Sequence, residues 1–350
     1  MSSGPGSVVS DRAAGSLHIA GSAVVLGAAR LGEGSLLAQG AVIRSHGAGV
    51  EVGTGSAVLE NSVLVGNTGI PTTIGRRSVF GHRCMVVGVV VGDLCEIGNA
   101  SILMPGARVG DRVFLGEGTL VPAGTTLPSD VVAVGRPARV VRSASPDDLG
   151  RLTALREGDL SVPPPTAITI EGTEERTVMD QLYAYRGTLP TIAASATLFP
   201  TAEITGDVVV GERAIIGAGV RIIGDSHGPV RIGSDVQILE NTVLHLLPDN
   251  DLVIDDGAIV GPGAMIHGCR IGAGSVIEPG AIVCDTSVLG TGCVVRAGAV
   301  VKQRSRFAAG TDIDGFPAVE VGRIPEPPPM PAWAWRRDDL PVPTPGRPTQ

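Results

Sequence analysis

Residues 231–277 read RIGSDVQILENTVLHLLPDNDLVIDDGAIVGPGAMIHGCRIGAGSVI, and their periodicity decides the fold. Apolar residues recur at Ile232, Ile238 and Leu244 and, after the insertion LLPDND, at Ile254, Val260 and Ile266. The beat continues at Ile271, Ile277, Val283, Leu289, Val295 and Val301, and the first half repeats it at Val91, Ile97, Leu103, Val109, Leu115, Val121 and Leu127. An α-helix needs a period near 3.6 and a flat strand a period of two, so six suits neither. It suits a triangular solenoid. Each six-residue unit makes one flat side, its apolar residue points inward, and glycine or another small residue allows the corner. Stacked coils then pair as parallel strands, with edges left only at the two ends.

Composition agrees with a thin-walled, repetitive body. Among 350 residues there are 50 glycines and nine aromatics, too few rings for an ordinary globular core. A net charge of −8 argues against nucleic acid and anionic membrane as partners, since both require clustered Lys and Arg. No apolar run reaches the ~18 residues of a membrane span, and MSSGPGSVVSDRAAG has neither a basic nor an apolar leader region. The expectation is a cytoplasmic protein. Cys84, Cys95, Cys269, Cys284 and Cys293 never stand as CxxC and read as small buried residues rather than a zinc or disulfide framework.

The repeat breaks twice. Residues 143–189 contain two helix candidates, SPDDLGRLTALREG and EERTVMDQLYAYRG, around a stiff VPPPT stretch. They read as a connector between a first β-helix domain, 1–142, and a second, 190–324. Residues 325–350 form a proline-rich tail expected to form no packed element, either disordered or anchored to a neighbouring subunit through Trp333 and Trp335.

Both domains close with Gly-x-Pro-Ala, in VGRPARVVR and DGFPAVEVG. Together with VLH, MIHGC and GAGVRIIGD, the 231–277 stretch resembles the gamma-class carbonic anhydrases, hexapeptide-repeat proteins with left-handed coils. GAVIRSH, VLENSVLV and SVFGHRCMVVG in the first half match the same pattern more loosely, so the chain looks duplicated. The resemblance implies a trimer with zinc or another divalent metal held by three histidines, two from one subunit and one from its neighbour. Here His245 and His267 stand at the paired positions, while the neighbour's position is Pro262 in the second domain and His82 in the first. Val65 and Val87 replace the paired histidines in the first domain. Arg44, and Asp225 opposite it, match an inter-subunit pair; Glu60 and Glu240 match the carboxylate that orients the reacting water, followed by Asn61 and Asn241.

These complementary losses suggest one composite site from His82, His245 and His267, with Arg44 bridging to Asp225. It would hydrate carbon dioxide or a larger small-molecule carbonyl admitted by the apolar Leu239 and Ile223, as a lyase or hydrolase. The expected assembly is a trimer of two-domain chains, or a hetero-oligomer with a related single-domain protein. Two other readings remain: an acyl-CoA-dependent hexapeptide acyltransferase with His82 or His267 as base, and a non-catalytic assembly protein.

Overall fold

Nearly every hexapeptide becomes a strand of two to four residues followed by a tight corner, and three such strands complete a coil. The computed structural model describes residues 16–47, 49–170, 181–225, 228–324 and 327–340. It divides into two compact units, Met1–Glu174 and Glu175–Gln350. Each is a left-handed parallel β-helix built from three sheets, of 8, 6 and 7 strands in the first unit and 7, 7 and 8 in the second. His227 and the first part of the second helix candidate, through Asp180, lie outside the described residues; within that candidate, Leu182–Tyr183 is a strand rather than a helix.

In the first unit, β1 (Val63–Gly66) and β2 (Met85–Val87) are successive rungs of one sheet, with Val65 beside Val87. The unit ends in an antiparallel hairpin of β3 (Val131–Val134) and β4 (Arg139–Ser143). The first helix candidate forms α1 (Pro146–Leu155), because Ser145 and Asp148 close a reciprocal capping box and Pro146 fits the first turn. Leu152 is its buried anchor. The chain then runs back along the first unit. Arg76 and Arg77 donate to the carbonyls of Pro163 and Ser161 at 3.0 and 2.7 Å, and Ile168–Ile170 pairs antiparallel with Ala29–Leu31.

In the second unit, β5 (Arg221–Gly224), β6 (Val243–His245), β7 (Met265–His267) and β8 (Ile282–Val283) are consecutive rungs. Ile222, Leu244, Ile266 and Val283 stack down the core with no exposure. Cutting one back, as in Ile266→Ala, costs about 2–5 kcal/mol by the usual cavity penalty. The corners rely on left-handed backbone. Gly219, at φ 71°, leaves room for the Asn241 side chain, whose Oδ1 lies 1.9 Å from where a Cβ would sit. A second hairpin, β9 (Thr311–Gly315) and β10 (Ala318–Arg323), closes the unit.

The tail departs from expectation. Trp333 and Trp335 are 3% and 6% exposed, and Trp335 packs on its own unit. Trp335 stacks on Phe199 with ring centres 5.0 Å apart, while its backbone N–H and C=O both bond the Gln237 amide at 2.9 Å. The large ring and the satisfied backbone groups together outweigh a proline content that otherwise disfavours packing.

Candidate functional site

The inward placement of Leu244 and Ile266 forces the next residue of each rung outward, because successive strand side chains alternate. His245 and His267 are therefore direct neighbours on adjacent coils. Nδ1 of His245 lies 3.2 Å from Nε2 of His267, with the rings edge to face. Nδ1 of His267 lies 2.8 Å from Oδ2 of Asp285, whose side chain is only 9% exposed. On the far side, Nε2 of His245 faces Oδ2 of Asp225 at 3.7 Å.

Asn250 completes the cluster from the insertion that interrupts the six-residue beat. Its Nδ2 donates to the Gly268 carbonyl at 2.6 Å and to Oδ1 of Asp285 at 3.3 Å. A carboxylate can only accept, so the hydrogen on His267 belongs to Nδ1, and Nε2 turns its lone pair toward His245. Gly268, at φ 28°, makes this close approach possible. A Cβ there would sit 2.1 Å from Asn250 Nδ2 and 2.7 Å from Asp285 Oδ1.

The first unit provides an internal comparison. Val65 and Val87 hold the rung positions of the two histidines, Pro105 that of Asp285, and Ile70 packs against Gly88 where Asn250 meets Gly268. Four polar groups in one coil stack correspond to four apolar ones in the other. The same backbone forms with either set, so folding does not require the polar one.

Of the residues singled out from sequence, His245, His267 and Asp225 are brought together. Glu240 is fully buried at the corner before β6, and the carboxylates set against the imidazoles are Asp225 and Asp285. Asn241 is a corner residue at φ 56°, lodged over Gly219. His82, Glu60 and Arg44 belong to the first unit. His82 Nδ1 lies 2.7 Å from Glu60 Oε2, both side chains are about half exposed, and Arg44 is 5% exposed on the rung beside Val65. Among the described residues, no three His, Cys, Asp or Glu side chains are grouped to hold a metal. Cys84, Cys95, Cys269 and Cys293 are buried, and burial pushes the Cys84 and Cys95 thiols up to about 12. Sequence reasoning missed Asp285 and Asn250. The available signal was Cys284-Asp285-Thr286-Ser287, which stands where the preceding corner has Glu278-Pro279-Gly280-Ala281.

A family profile described as the hexapeptide repeat of succinyl-transferase matches residues 71–104 and 267–297. A carbonic anhydrase of Geobacillus kaustophilus is 40% identical over 111 residues, which is 32% of this chain and 60% of that protein. The chain is a hexapeptide-repeat protein similar to carbonic anhydrase-like relatives, and it spans about 60% of the length of that carbonic anhydrase. Carnitine operon protein CaiE of a Proteus species is 28% identical over 143 residues, 41% of this chain and 72% of CaiE. A solved hexapeptide transferase family protein from Anaplasma phagocytophilum is 28% identical, with a TM-score of 0.41, covering 43% of this chain and 87% of that one. The His245–His267 pair sets two imidazole nitrogens 3.2 Å apart, each ring with a carboxylate facing its other nitrogen.

Proposed function

We propose that the chain is a metal-dependent hydratase of the carbonic anhydrase kind, acting on carbon dioxide or another small electrophilic carbonyl. The observation that carries this reading is the 3.2 Å separation of His245 Nδ1 and His267 Nε2. Two nitrogens at about 2.0–2.1 Å from a tetrahedral zinc stand roughly 3.3–3.4 Å apart, so the pair already has the spacing of one ligand edge. Asp285 holds His267 in the tautomer that ligates, and Asp225 is placed to receive the Nε2 hydrogen of His245 when its Nδ1 does the same. Zinc, or a similar divalent ion, would bring the ionisation of water down to about neutral pH and so supply a nucleophile.

The third donor in this reading is His82 of a second copy. Its Nδ1 lies 2.7 Å from Glu60 Oε2 and its ring is half exposed, and Nε2 is the nitrogen that would ligate. Pro262, at the equivalent corner of the second unit, has no donor. In the same assembly Arg44 would pair with Asp225. Elemental analysis of the purified chain beside His82→Ala and His245→Ala tests the reading. Near-stoichiometric metal in the parent, lost in both variants, is the expected result; a metal-free parent refutes it.

One observation favours a second reading. The His267–Asp285 dyad, with its buried carboxylate, has the arrangement of an oriented general base, which a metal-free acyltransferase would use. Stabilisation by acyl-CoA of a metal-free parent, lost in His267→Ala, would support it.

A further inference from the structure

The histidine column does not stop at His267. On the next two rungs Val283 and Val301 continue the buried stack of Leu244 and Ile266, so the residue after each, Cys284 and Lys302, falls in the same outward column. The Cys284 N–H bonds the Val301 carbonyl at 3.0 Å, which fixes that register. The column therefore reads His245, His267, Cys284, Lys302 on successive coils. In the first unit the same count gives Val65, Val87, Met104 and Pro122. Four apolar residues there stand against two imidazoles, a partly exposed thiol and an ammonium here.

Lys302 is the only lysine of a chain whose net charge is −8. Arg304 shares its corner, and both side chains are exposed. Between Thr286 and Thr311 the sequence holds four cations and no acid, so the local charge opposes that of the whole. Arg296 is tied to Glu278 and Asp312, whereas Lys302 and Arg304 have no carboxylate partner among the described residues. Asp285, on the coil before, turns its carboxylate to His267 and Asn250. The corresponding corner of the first unit, Pro122-Ala123-Gly124, carries no charge. Adjacent coils stand about 4.8 Å apart, which puts the backbones of His267 and Lys302 roughly 10 Å apart. A short carbon chain and the lysine side chain cover that distance between them.

We infer that the site takes an anionic ligand, a small carbonyl compound bearing a carboxylate or phosphate. Its anionic group docks at Lys302 and Arg304 while its carbonyl end lies at the His245–His267 pair. What happens at the imidazoles rests on the hydratase reading, but the docking itself needs no metal.

An NMR titration of the full chain in a chelator tests it. Reductive methylation with labelled formaldehyde keeps the charge and marks only Lys302 and the amino terminus, and nitrogen labelling follows the imidazoles. The probes are succinate, glycerol phosphate and uncharged succinamide. Succinate or glycerol phosphate should shift Lys302 saturably, with the His245 and His267 rings on the same isotherm and the affinity falling as salt is raised; succinamide should shift neither. Followed on the imidazoles, Lys302→Met combined with Arg304→Met should bind about five- to tenfold more weakly, and Lys302→Arg like the parent. Saturation by succinate alone assigns a carboxylate, and by glycerol phosphate alone a phosphate. Shifts that never saturate, equal binding of succinamide, silent imidazoles, or a double variant that binds like the parent would each overturn the inference. Metal analysis of the same preparation judges the hydratase reading separately, since a metal-free parent that still binds an anion in this way removes the reaction and leaves the anion site.

Discussion

Replacing Asp285 by asparagine preserves size but reverses one group's polarity, and its neighbours dictate the outcome. Asn250 must present an N–H toward residue 285, because the same nitrogen donates to the Gly268 carbonyl at 2.6 Å. The new amide therefore turns its oxygen to Asn250 and its NH₂ to His267. Nδ1 of His267 must then accept, which moves the hydrogen to Nε2 and removes the lone pair aimed at His245 and at any shared metal. The lost bond is 2.8 Å long, partly buried and charge-assisted. Such bonds contribute about 1.5–3 kcal/mol, or roughly 10–150-fold in affinity at 1.4 kcal/mol per decade. Loss of a carboxylate behind a ligating histidine has a similar effect of about 10–100-fold. Competition with a chromophoric chelator should show zinc affinity falling in the order parent, Asp285→Ala, Asp285→Asn, because alanine leaves the tautomer free whereas asparagine enforces the wrong one. Asp285→Asn binding zinc like the parent would refute the tautomer argument.

Gly268→Ala should push Asn250 and Asp285 aside and strain a φ of 28°, lowering the melting temperature and weakening metal binding together; unchanged metal binding would show that the approach of Asn250 is dispensable. Trp335→Ala removes a nearly buried ring from Phe199 and should free the tail to proteolysis near residues 331–340, with the solenoid's circular dichroism intact. Hydrogen bonds and charge from Arg112 hold the Asp130 carboxyl below its usual range. A depressed carboxyl contributes stability above its unfolded pKa of about 3.9 and loses it as pH falls through the lower folded value. The melting temperature should therefore decline below about pH 4, less steeply in Asp130→Asn, and identical slopes would remove this pair as a cause.

The β-helix was legible because period six is a strong signal and each inward position, such as Leu244 or Ile266, is confirmed by its neighbours six residues away. The outward pairing of His245 with His267 followed from the same counting. Asp285 was harder, since it sits at a corner after a core position and reaches His267 only through side-chain geometry. Asn250 was illegible for another reason: it lies in an insertion whose path the repeat does not constrain. The tail failed for want of a partner in sequence. Nothing in PAWAW announces that Gln237, nearly a hundred residues earlier, presents an amide able to satisfy both backbone groups of Trp335.

The two units together separate what folding requires of the polar cluster from what it does not. A solenoid places the same position of successive coils side by side, so histidines one coil apart must meet, and that alone is no sign of function. The sign lies in the replacements. Val65, Val87, Pro105 and Ile70 occupy the corresponding places in the first unit, with Val65 and Val87 almost wholly buried, so the architecture tolerates, and by burial favours, an apolar set. Keeping Asp285 nearly buried in the second unit sets its desolvation against the bonds from His267 and Asn250, whereas an apolar residue carries no such opposing cost. Stability therefore does not account for the whole cluster. The proposed ligating role, with a lone pair held at Nε2 of His267 3.2 Å from the neighbouring imidazole, would account for it.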